Sequence, residues 1–427
     1  MNVVLIFTDQ QHKYALGKVS PWISTPNLDR LCEQGVRFSN AYSNAPICGP
    51  FRGTLFSGTY ISECGTLHNG DPLPSHLPCM AETFTQAGYE TGFVGKWHLG
   101  GNGQGPIPEN LRGGFKHFIG YQCYNGFREN VCFYDEDGQP CPSKRHRTDY
   151  TADLAIAQLS RLHESGKPFL QTTWFQAPHY PEQPSPEFEQ MYLDRNIPRP
   201  PAYQEIDPYT PTGSPRSPSP VENCPDYQRY GNNIDTYLKL YCAMVTQIDA
   251  NVGRILDHLE GLGCREETMI LFSSDHGDMQ GCLGLKNKCL PHEMSCGIPM
   301  IITTPGGITN CVCEQPVSGI DVYPTILDYC GLDHPAHLKG HSWLSGLKGG
   351  EFPNKPVFAE QRVGSRQWCM VRDGAFKLTV KAGTGEPDLL FDLAHDPHEE
   401  QNLVSNTEFN QHLQSLLVQL HQTFPNW

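Results

Sequence analysis

Short apolar runs alternate with longer amphipathic segments along most of this chain, and this alternation restricts the possible folds more than any other feature. Parallel strands that are buried on both faces read as continuous apolar runs, and the helices that connect them cover both faces of the sheet. The sequence therefore predicts an α/β fold in which helices sandwich a mostly parallel sheet. The predicted strands lie at 3–7, 91–95, 169–175, 268–274 and 298–304, and the predicted helices at 25–35, 81–89, 151–166 and 243–263.

The pattern changes near residue 355, where short strand candidates of mixed polar and aromatic composition replace the long apolar runs. The segments WCMVRDG and AFKLTV favour antiparallel strands, and a terminal helix is predicted from about 406. We therefore expect a large α/β domain over 1–350 and a small C-terminal subdomain with an antiparallel sheet over 351–427. A proline-rich segment at 181–225 forms a long excursion within the large domain.

The formal charge of −15 argues against nucleic acids and anionic membrane surfaces as partners. No apolar run approaches the length of a membrane-spanning helix. The chain begins MNVVLIFTDQQ, without the features of a secretory signal, and its 17 cysteines show neither a disulfide framework nor metal-finger spacing. We therefore expect a cytoplasmic protein with reduced thiols, and its oligomeric state stays open.

Polar side chains follow four of the predicted strands at the point where each strand ends. In an open parallel sheet, ligands bind outside the carboxyl ends of the strands. We therefore expect these groups to converge at one edge of the sheet. They are Thr8-Asp9-Gln10, Lys96-Trp97-His98, Ala177-Pro178-His179 and Asp275-His276-Gly277-Asp278.

Four of these groups suit a divalent cation. Asp9, Gln10 and Asp275 supply the hard oxygens that calcium or magnesium prefers, and His276 is a compatible but softer ligand. One such ion attracts an anionic ester and polarises it.

Five further groups suit the ester itself. Arg52, Lys96 and Lys288 are suited to bind oxygens that gain charge during group transfer. His98 and His179 are suited to move protons near neutral pH. The sequence thus indicates a site for an anionic ester beside a cation.

The segment ICGPFRGTLFSG (47–58) places a cysteine at the start of a predicted helix, two residues before a proline and four before an arginine. Backbone N–H groups and the positive end of the helix dipole favour an anionic nucleophile at such a position. Cys48 is therefore the candidate nucleophile.

The motif Cys48-Gly49-Pro50-Phe51-Arg52 resembles the C-x-P-x-R signature of the formylglycine-dependent sulfatases, members of the alkaline phosphatase-like superfamily. The resemblance covers nearly the whole chain, and it implies the alkaline phosphatase-like fold, with 1–350 as the catalytic domain of a sulfuric ester hydrolase. The other segments that resemble sulfatases, in the same order, are TDQQ, TPNLDRL, GVRFSNAYS, GKWHLG, APHYP, SSDHGD, GLKNK and LLFDLAHDPHEEQNL.

In this family the cysteine is oxidised to formylglycine (3-oxoalanine), whose hydrate attacks sulfur and later collapses to the aldehyde and expels sulfate. The resemblance therefore implies that Cys48 is modified and that a maturase enzyme is a partner, because cysteine does not convert unaided. Pro50 and Arg52 belong to the signal read by that enzyme, and Arg52 also steadies the modified residue. Phe51 stands where most relatives have a small residue.

By the same resemblance, the calcium shell comprises Asp9, Gln10, the modified Cys48, Asp275 and His276, with magnesium as the alternative ion. Many relatives carry Asp at the position of Gln10 and Asn at the position of His276. The implied negative charge around the ion is therefore lower in this chain.

The resemblance also implies roles for the remaining groups. Lys96 and His98 resemble the pair that holds and deprotonates the formylglycine hydrate, and His179 and Lys288 resemble the groups at the sulfate and the leaving oxygen. Lys288 fits the family pattern better than its neighbour Lys286.

Two other functions remain open. A phosphonate or phosphate ester hydrolase of the same fold also contains DQ and CGP segments, but such relatives tend to lack the Lys and His of GKWHLG. A non-catalytic binding protein would require that Cys48 stays unmodified.

The expected substrate is a small sulfated saccharide, cleaved in an exo fashion. The segment GYQCYNGF (120–127), the proline-rich excursion and the C-terminal subdomain are candidates to form the sugar pocket. The sequence specifies neither the sugar nor the sulfate position. The candidate substrate-binding residues are His68, His337, His341, Arg362 and Trp368.

Overall fold

The structure of the protein is a computed structural model that describes residues 1–206, 208, 233–364 and 367–425. Within these ranges, eleven strands form one main sheet. They are β1 (Asn2–Asp9), β2 (Val36–Tyr42), β3 (Glu90–Lys96), β4 (His117–Tyr121), β5 (Val131–Tyr134), β6 (Pro140–Ser143), β7 (Phe169–Pro178), β8 (Thr268–Ser274), β9 (Gly297–Thr303), β10 (Cys311–Cys313) and β11 (Val317–Ser318). Their order is β10-β2-β9-β8-β1-β7-β3-β4-β5-β6, and β11 pairs with β2.

The middle of the main sheet is parallel, as the continuous apolar runs predict. Strand β1 pairs in parallel with β7 and β8, and β3 pairs in parallel with β7 and β4. Strand β9, although apolar throughout, pairs antiparallel with both β2 and β8. All residues of β1, β7 and β8 are buried, because helices pack against both faces. The predicted fold class is therefore confirmed.

Eleven α-helices lie in the described ranges. They are α1 (Pro26–Gln34), α2 (Cys48–Ser57), α3 (Ile61–Cys64), α4 (Met80–Gln86), α5 (Arg147–Glu164), α6 (Pro186–Leu193), α7 (Ile234–Gly261), α8 (Glu293–Cys296), α9 (Val322–Cys330), α10 (Leu344–Leu347) and α11 (Asn410–Thr423). None of these is both long enough and apolar enough to cross a lipid bilayer.

Helix α7 begins well before the predicted start at residue 243. Its N-cap is Asn233, whose side-chain oxygen accepts hydrogen bonds from the backbone of Asp235 and Thr236. The cap satisfies backbone donors that otherwise lack partners at a helix start. Of the proline-rich segment 181–225, residue 207 and residues 209–225 lie outside the described residues.

The four strands that carry the predicted site residues end side by side. The register pairs Asp9 with Pro178 and Gly95 with Trp174. Gly95 has φ 122°, and a Cβ there would lie 2.1 Å from the Trp174 carbonyl oxygen. Glycine thus allows β3 and β7 to pair up to the last residue before Lys96, because no side chain separates the two backbones.

The C-terminal part forms a separate antiparallel sheet of β12 (Val357–Gln361), β13 (Trp368–Asp373), β14 (Phe376–Lys381) and β15 (Pro387–Asp392), in that order. Helix α11 packs Leu413, Leu416 and Leu420 against the apolar face of this sheet. The predicted antiparallel C-terminal subdomain is therefore present.

Candidate active site

Cys48 is the point on which the site converges. It is the first residue of α2 and is buried. Its Sγ atom lies 3.1 Å from Lys288 Nζ, 3.4 Å from His276 Nε2, 3.5 Å from Asp9 Oδ1 and 4.0 Å from Lys96 Nζ. These partners come from strand ends and a loop that are distant in sequence, so the fold assembles the predicted cluster.

The surroundings of Cys48 favour a negative charge at its side chain. Burial alone would raise the pKa of the thiol, but Lys288, Lys96 and His276 lower it well below the usual value of a cysteine. The positive end of the α2 helix dipole acts in the same direction. The site is therefore built for an anionic group at position 48.

Four side chains form a cluster that fits a divalent cation. Ligand atoms of Asp9, Cys48, Asp275 and His276 all lie within 4.8 Å of one another, and all four residues are buried. Burial and the neighbouring Asp9 raise the pKa of Asp275, whereas Lys96 contributes to lowering the pKa of Asp9. A cation between the two carboxylates would remove the repulsion that raises the pKa of Asp275.

Gln10 joins this cluster through its backbone and its amide. It lies directly after β1 with a left-handed φ of 70°, and its N–H donates to Asp275 Oδ1 over 3.1 Å. Its Nε2 donates to Asp278 Oδ2 over 3.2 Å, which leaves Oε1 as the acceptor for Lys288 Nζ at 3.2 Å. Asp278 therefore orients the Gln10 oxygen toward the site, a role that the sequence did not reveal.

Arg52 has a different position from the one expected for a group that binds substrate oxygens. It is fully buried, and its guanidinium stacks 3.9 Å from the centre of the Trp174 ring. One terminal nitrogen donates to Asp9 and Asp275, each over 3.1 Å, and the other donates to the Lys96 carbonyl oxygen. These contacts make Arg52 a buried anchor for the two carboxylates.

The two predicted proton carriers differ in charge at neutral pH. Burial would lower the pKa of His98, but Cys123 and Cys48 raise it to about 9. Burial and the charge of Lys288 lower the pKa of His179 to about 4. His98 is therefore cationic and His179 neutral in the free protein at pH 7.

Each of these histidines is held by one ring nitrogen. His98 Nε2 lies 3.1 Å from Asn102 Oδ1. His179 Nδ1 donates to the Tyr180 carbonyl oxygen over 2.7 Å, so the neutral ring has its lone pair on Nε2.

Cys123 is a site residue that the sequence analysis missed as an individual group. Burial would raise its pKa, but Lys96 and His98 lower it to about 7. It follows β4, which pairs in parallel with β3, so its thiol comes to the edge where Lys96 lies. The sequence pattern that could have revealed Cys123 is the end of strand β4, and this pattern is weak because β4 is short and no helix directly precedes it.

Two of the predicted substrate-binding residues lie on segments that adjoin the site. His68 is solvent-exposed on the loop whose Asn69 accepts a hydrogen bond from the Gly49 N–H over 2.8 Å. Trp368 is buried, and its Nε1 donates to the carbonyl oxygen of Cys289, next to Lys288, over 3.1 Å. Trp368 thus contacts the loop of the site rather than open space.

The other three predicted substrate-binding residues have partners elsewhere. His337 Nε2 lies 3.0 Å from the Ser57 carbonyl oxygen, at the opposite end of α2 from Cys48. The His341 N–H donates to Asp321 over 2.8 Å. Arg362 pairs with Glu360 over 2.5 Å. Their role in binding a saccharide stays a prediction.

Comparisons with known proteins agree with this geometry. The sulfatase family model matches residues 1–332, and the model of the C-terminal part of N-sulphoglucosamine sulphohydrolase matches residues 281–425. An ulvan-active sulfatase of Formosa agariphila is 27% identical over 96% of this chain and 78% of its own length.

Two solved structures share the fold at 24% identity. A protein in complex with its substrate D-glucosamine-2-N,6-O-disulfate has a TM-score of 0.85 and matches over 100% of this chain and 98% of its own. A phosphonate monoester hydrolase from Silicibacter pomeroyi has a TM-score of 0.81, with 99% and 94% covered. The family model matches well over half of the chain, Cys48 included, so this protein belongs to the sulfatase family and is a sulfuric ester hydrolase.

Proposed function

We propose that this protein hydrolyses the sulfate ester of a small saccharide through a formylglycine formed from Cys48. The observation that carries the proposal is the convergence of Lys288, His276, Asp9 and Lys96 on the Cys48 side chain. A buried anionic group at this point faces two ammonium groups that suit the oxygens of a sulfate. A maturase remains a required partner, because the modification does not occur unaided.

Calcium is the ion that we propose for the buried cluster, with magnesium as the alternative. Asp9, Asp275 and Gln10 would supply oxygens, and His276 and residue 48 would complete the set. The bound ion would neutralise charge on the ester and favour attack at sulfur. Arg52 keeps both carboxylates oriented toward this cluster.

We assign charge stabilisation to the lysines of the site and proton transfer to its histidines. Lys96 and Lys288 stabilise negative charge near residue 48, and His98 exchanges a proton with that residue. His179 is neutral in the free protein, so it must gain a proton before it can act as an acid. Binding of an anionic ester raises its pKa, because a nearby negative charge favours the protonated ring. His179 then protonates the leaving oxygen.

The proposal of a saccharide as the substrate is based on proteins that are similar to this chain. One relative is described as ulvan-active, and one structural neighbour was solved with a disulfated glucosamine as its substrate. A cytoplasmic location, which stays a prediction, would favour a small imported saccharide over a polymer. A phosphonate monoester hydrolase is the second candidate, because one shares the fold over nearly the whole chain.

A comparison of leaving groups tests the proposal. A sugar alkoxide leaves poorly without a proton, and a positioned acid contributes about 10²–10⁴-fold to such a step. His179→Ala should therefore reduce hydrolysis of a sugar sulfate far more than that of an aryl sulfate. His98→Ala should reduce both, because residue 48 is common to every substrate. Equal losses on both esters for His179→Ala would contradict its role as the acid.

Three controls complete this experiment. His395→Gln alters an exposed histidine that pairs with Asp392 and should leave the ratio of the two activities unchanged. Peptide mass spectrometry of the active enzyme should find formylglycine at position 48, and an unmodified thiol in fully active protein would refute the modification. A wild-type preference for a phenyl phosphonate ester over both sulfates would favour the second candidate.

A further inference from the structure

The loop that carries Lys288 is held by side chains of the C-terminal sheet. Trp368 Nε1 donates to the Cys289 carbonyl oxygen over 3.1 Å, and Lys377 Nζ donates to the Pro291 carbonyl oxygen over 2.9 Å. We propose that Trp368 and Lys377 are positioning residues that hold Lys288 Nζ at its distance from residue 48. The proposal rests on the proposed function, in which Lys288 stabilises charge on the sulfate ester.

The backbone next to Lys288 is fixed from two sides. The N–H of Cys289 donates over 3.0 Å to the carbonyl oxygen of Pro46, which lies two residues before Cys48. The carbonyl oxygen of the same residue accepts from Trp368. One contact joins the loop to the start of α2, and the other joins it to the C-terminal sheet. The path of the loop therefore depends on both parts of the protein.

Lys288 itself is poorly restrained by its own contacts. Its Nζ atom lies 3.1 Å from Cys48 Sγ and 3.2 Å from Gln10 Oε1, and it has no carboxylate within 4.0 Å among the described residues. A lysine side chain is a flexible stem with a point charge at its end. Since a misplacement of about 1 Å can cost about 10²-fold in rate, the position of the loop backbone matters for the reaction.

Lys377 is suited to hold the loop because its own position is fixed. It is fully buried, and its ammonium pairs with Glu293 over 2.9 Å and with Glu399. The ammonium donates hydrogen bonds to Glu293 and to the Pro291 carbonyl oxygen, and the ion pair with Glu399 holds it from a third side.

One face of the loop borders a cavity. Leu290, Pro291 and His292 line a cavity of about 670 Å³, whose other side is formed by the C-terminal sheet, Trp368 included. Side chains around a cavity make fewer contacts than those in a filled core. The two hydrogen bonds to backbone oxygens therefore restrain the loop on the side of the C-terminal sheet, while the Leu290 N–H donates to Ser295 Oγ over 3.2 Å within the large domain.

A double-mutant cycle tests the proposal. Trp368→Phe keeps an aromatic side chain but replaces the indole by a phenyl ring without the N–H donor. It should lower kcat for 4-nitrophenyl sulfate by about 3–10-fold, as expected for loss of one hydrogen bond. In a Lys288→Ala background the same substitution should change kcat by less than about 2-fold, because the group it positions is gone. Equal fold-losses in both backgrounds would overturn the proposal.

Further variants separate positioning from general destabilisation. Trp343→Phe alters another buried tryptophan, which packs on Phe38, and should show no coupling to Lys288→Ala. Lys377→Met should show coupling of the same sign as Trp368→Phe, and if it does not fold, the Trp368 cycle alone decides. A wild-type enzyme without activity on sulfate esters would refute the proposed function, whereas an active enzyme without coupling would refute only the positioning role.

Discussion

Two clusters of charge invite comparison because they contain the same numbers of lysine or arginine side chains and of carboxylates. The site cluster consists of Asp9, Asp275, Arg52, Lys96 and Lys288, and the boundary cluster consists of Glu293, Glu399, Lys13, Arg372 and Lys377. Each has three cations and two carboxylates, and in each one carboxylate has a lowered pKa and the other a raised one. Composition alone therefore does not distinguish a catalytic cluster from a structural one.

The clusters differ in how the cations are paired. In the boundary cluster, Lys13 and Lys377 both pair with Glu293, and Arg372 lies 3.8 Å from it. In the site cluster, Lys288 has no carboxylate within 4.0 Å among the described residues, although Arg52 and Lys96 do. Lys288 instead lies beside residue 48, whose thiol it favours in the anionic form and where an anionic substrate would bind. The pairing of the charges therefore distinguishes the site cluster, in which one cation faces the substrate position, from the boundary cluster, in which the cations pair with carboxylates.

Removal of a cation from the boundary cluster should have the largest effect on stability. Lys377→Met leaves two buried carboxylates without their shared ammonium and should lower the free energy of unfolding by about 3–5 kcal/mol. Urea denaturation at pH 7 measures this difference. A loss below about 1 kcal/mol would show that the boundary cluster is not a structural one.

The matching substitution in the site cluster should affect activity instead. Lys288→Met should lower kcat/KM for a sulfate ester by about 10²–10³-fold, a typical loss for one charge-stabilising group. Its free energy of unfolding should fall by less than that of Lys377→Met, because Cys48, Asp9 and Asp275 favour the Lys288 ammonium without forming a carboxylate ion pair within 4.0 Å of it. Steady-state kinetics measures the change in activity, and urea denaturation of the same preparation measures the change in stability. A stability loss as large as that of Lys377→Met would contradict the difference between the two clusters.

Removal of the proposed calcium ion should lower the stability of the folded protein through the site cluster and not through the boundary cluster. At a calcium concentration of 100 Kd, binding stabilises the folded state by about 2.7 kcal/mol, and EDTA should remove this contribution. Asp275→Asn should lower both calcium content and activity, and its melting temperature should respond little to EDTA. Elemental analysis and thermal melts with and without calcium measure these effects. Lys377→Met should retain the calcium response, which makes it the control.

A third, more exposed ion-pair cluster should make the smallest contribution to the free energy of unfolding among the three clusters. Glu90 pairs with Lys167 over 2.9 Å and with His117 over 2.9 Å, and these contacts lower its pKa to about 2. Its contribution to stability is therefore complete above its ordinary pKa near 4.5 and is lost as the pH falls toward 2.

The corresponding test substitutes the carboxylate by its neutral analogue. Glu90→Gln should lower the free energy of unfolding by about 1 kcal/mol at pH 7, as for other exposed pairs. The difference in the free energy of unfolding between the variant and the wild type (the gap) should disappear as the pH falls from 4.5 to 2. Urea denaturation at several pH values measures the gap, and a gap that persists at pH 2 would contradict the assignment to this ion pair.

Much of the fold could be predicted because local periodicity reflects burial. The apolar runs at 3–7, 169–175 and 268–274 correspond to β1, β7 and β8, since strands buried on both faces need apolar side chains at every position. The predictions failed where burial is partial. Strand β2 (VRFSNAY) and the short outer strands carry mixed polar residues, so their pairing with neighbours rather than their composition defines them as strands.

The sequence by itself determined the central strands of the main sheet, the antiparallel C-terminal sheet and the strand ends where Asp9, Lys96, His179 and Asp275 meet. These follow from periodicity and from the rule that ligands bind at the carboxyl ends of parallel strands. Only the tertiary structure decided what each polar group contacts. Pairs such as Trp368 with Cys289, or Arg52 with Asp275, join residues far apart in the chain, and their distances depend on how helices and sheets pack rather than on any local pattern.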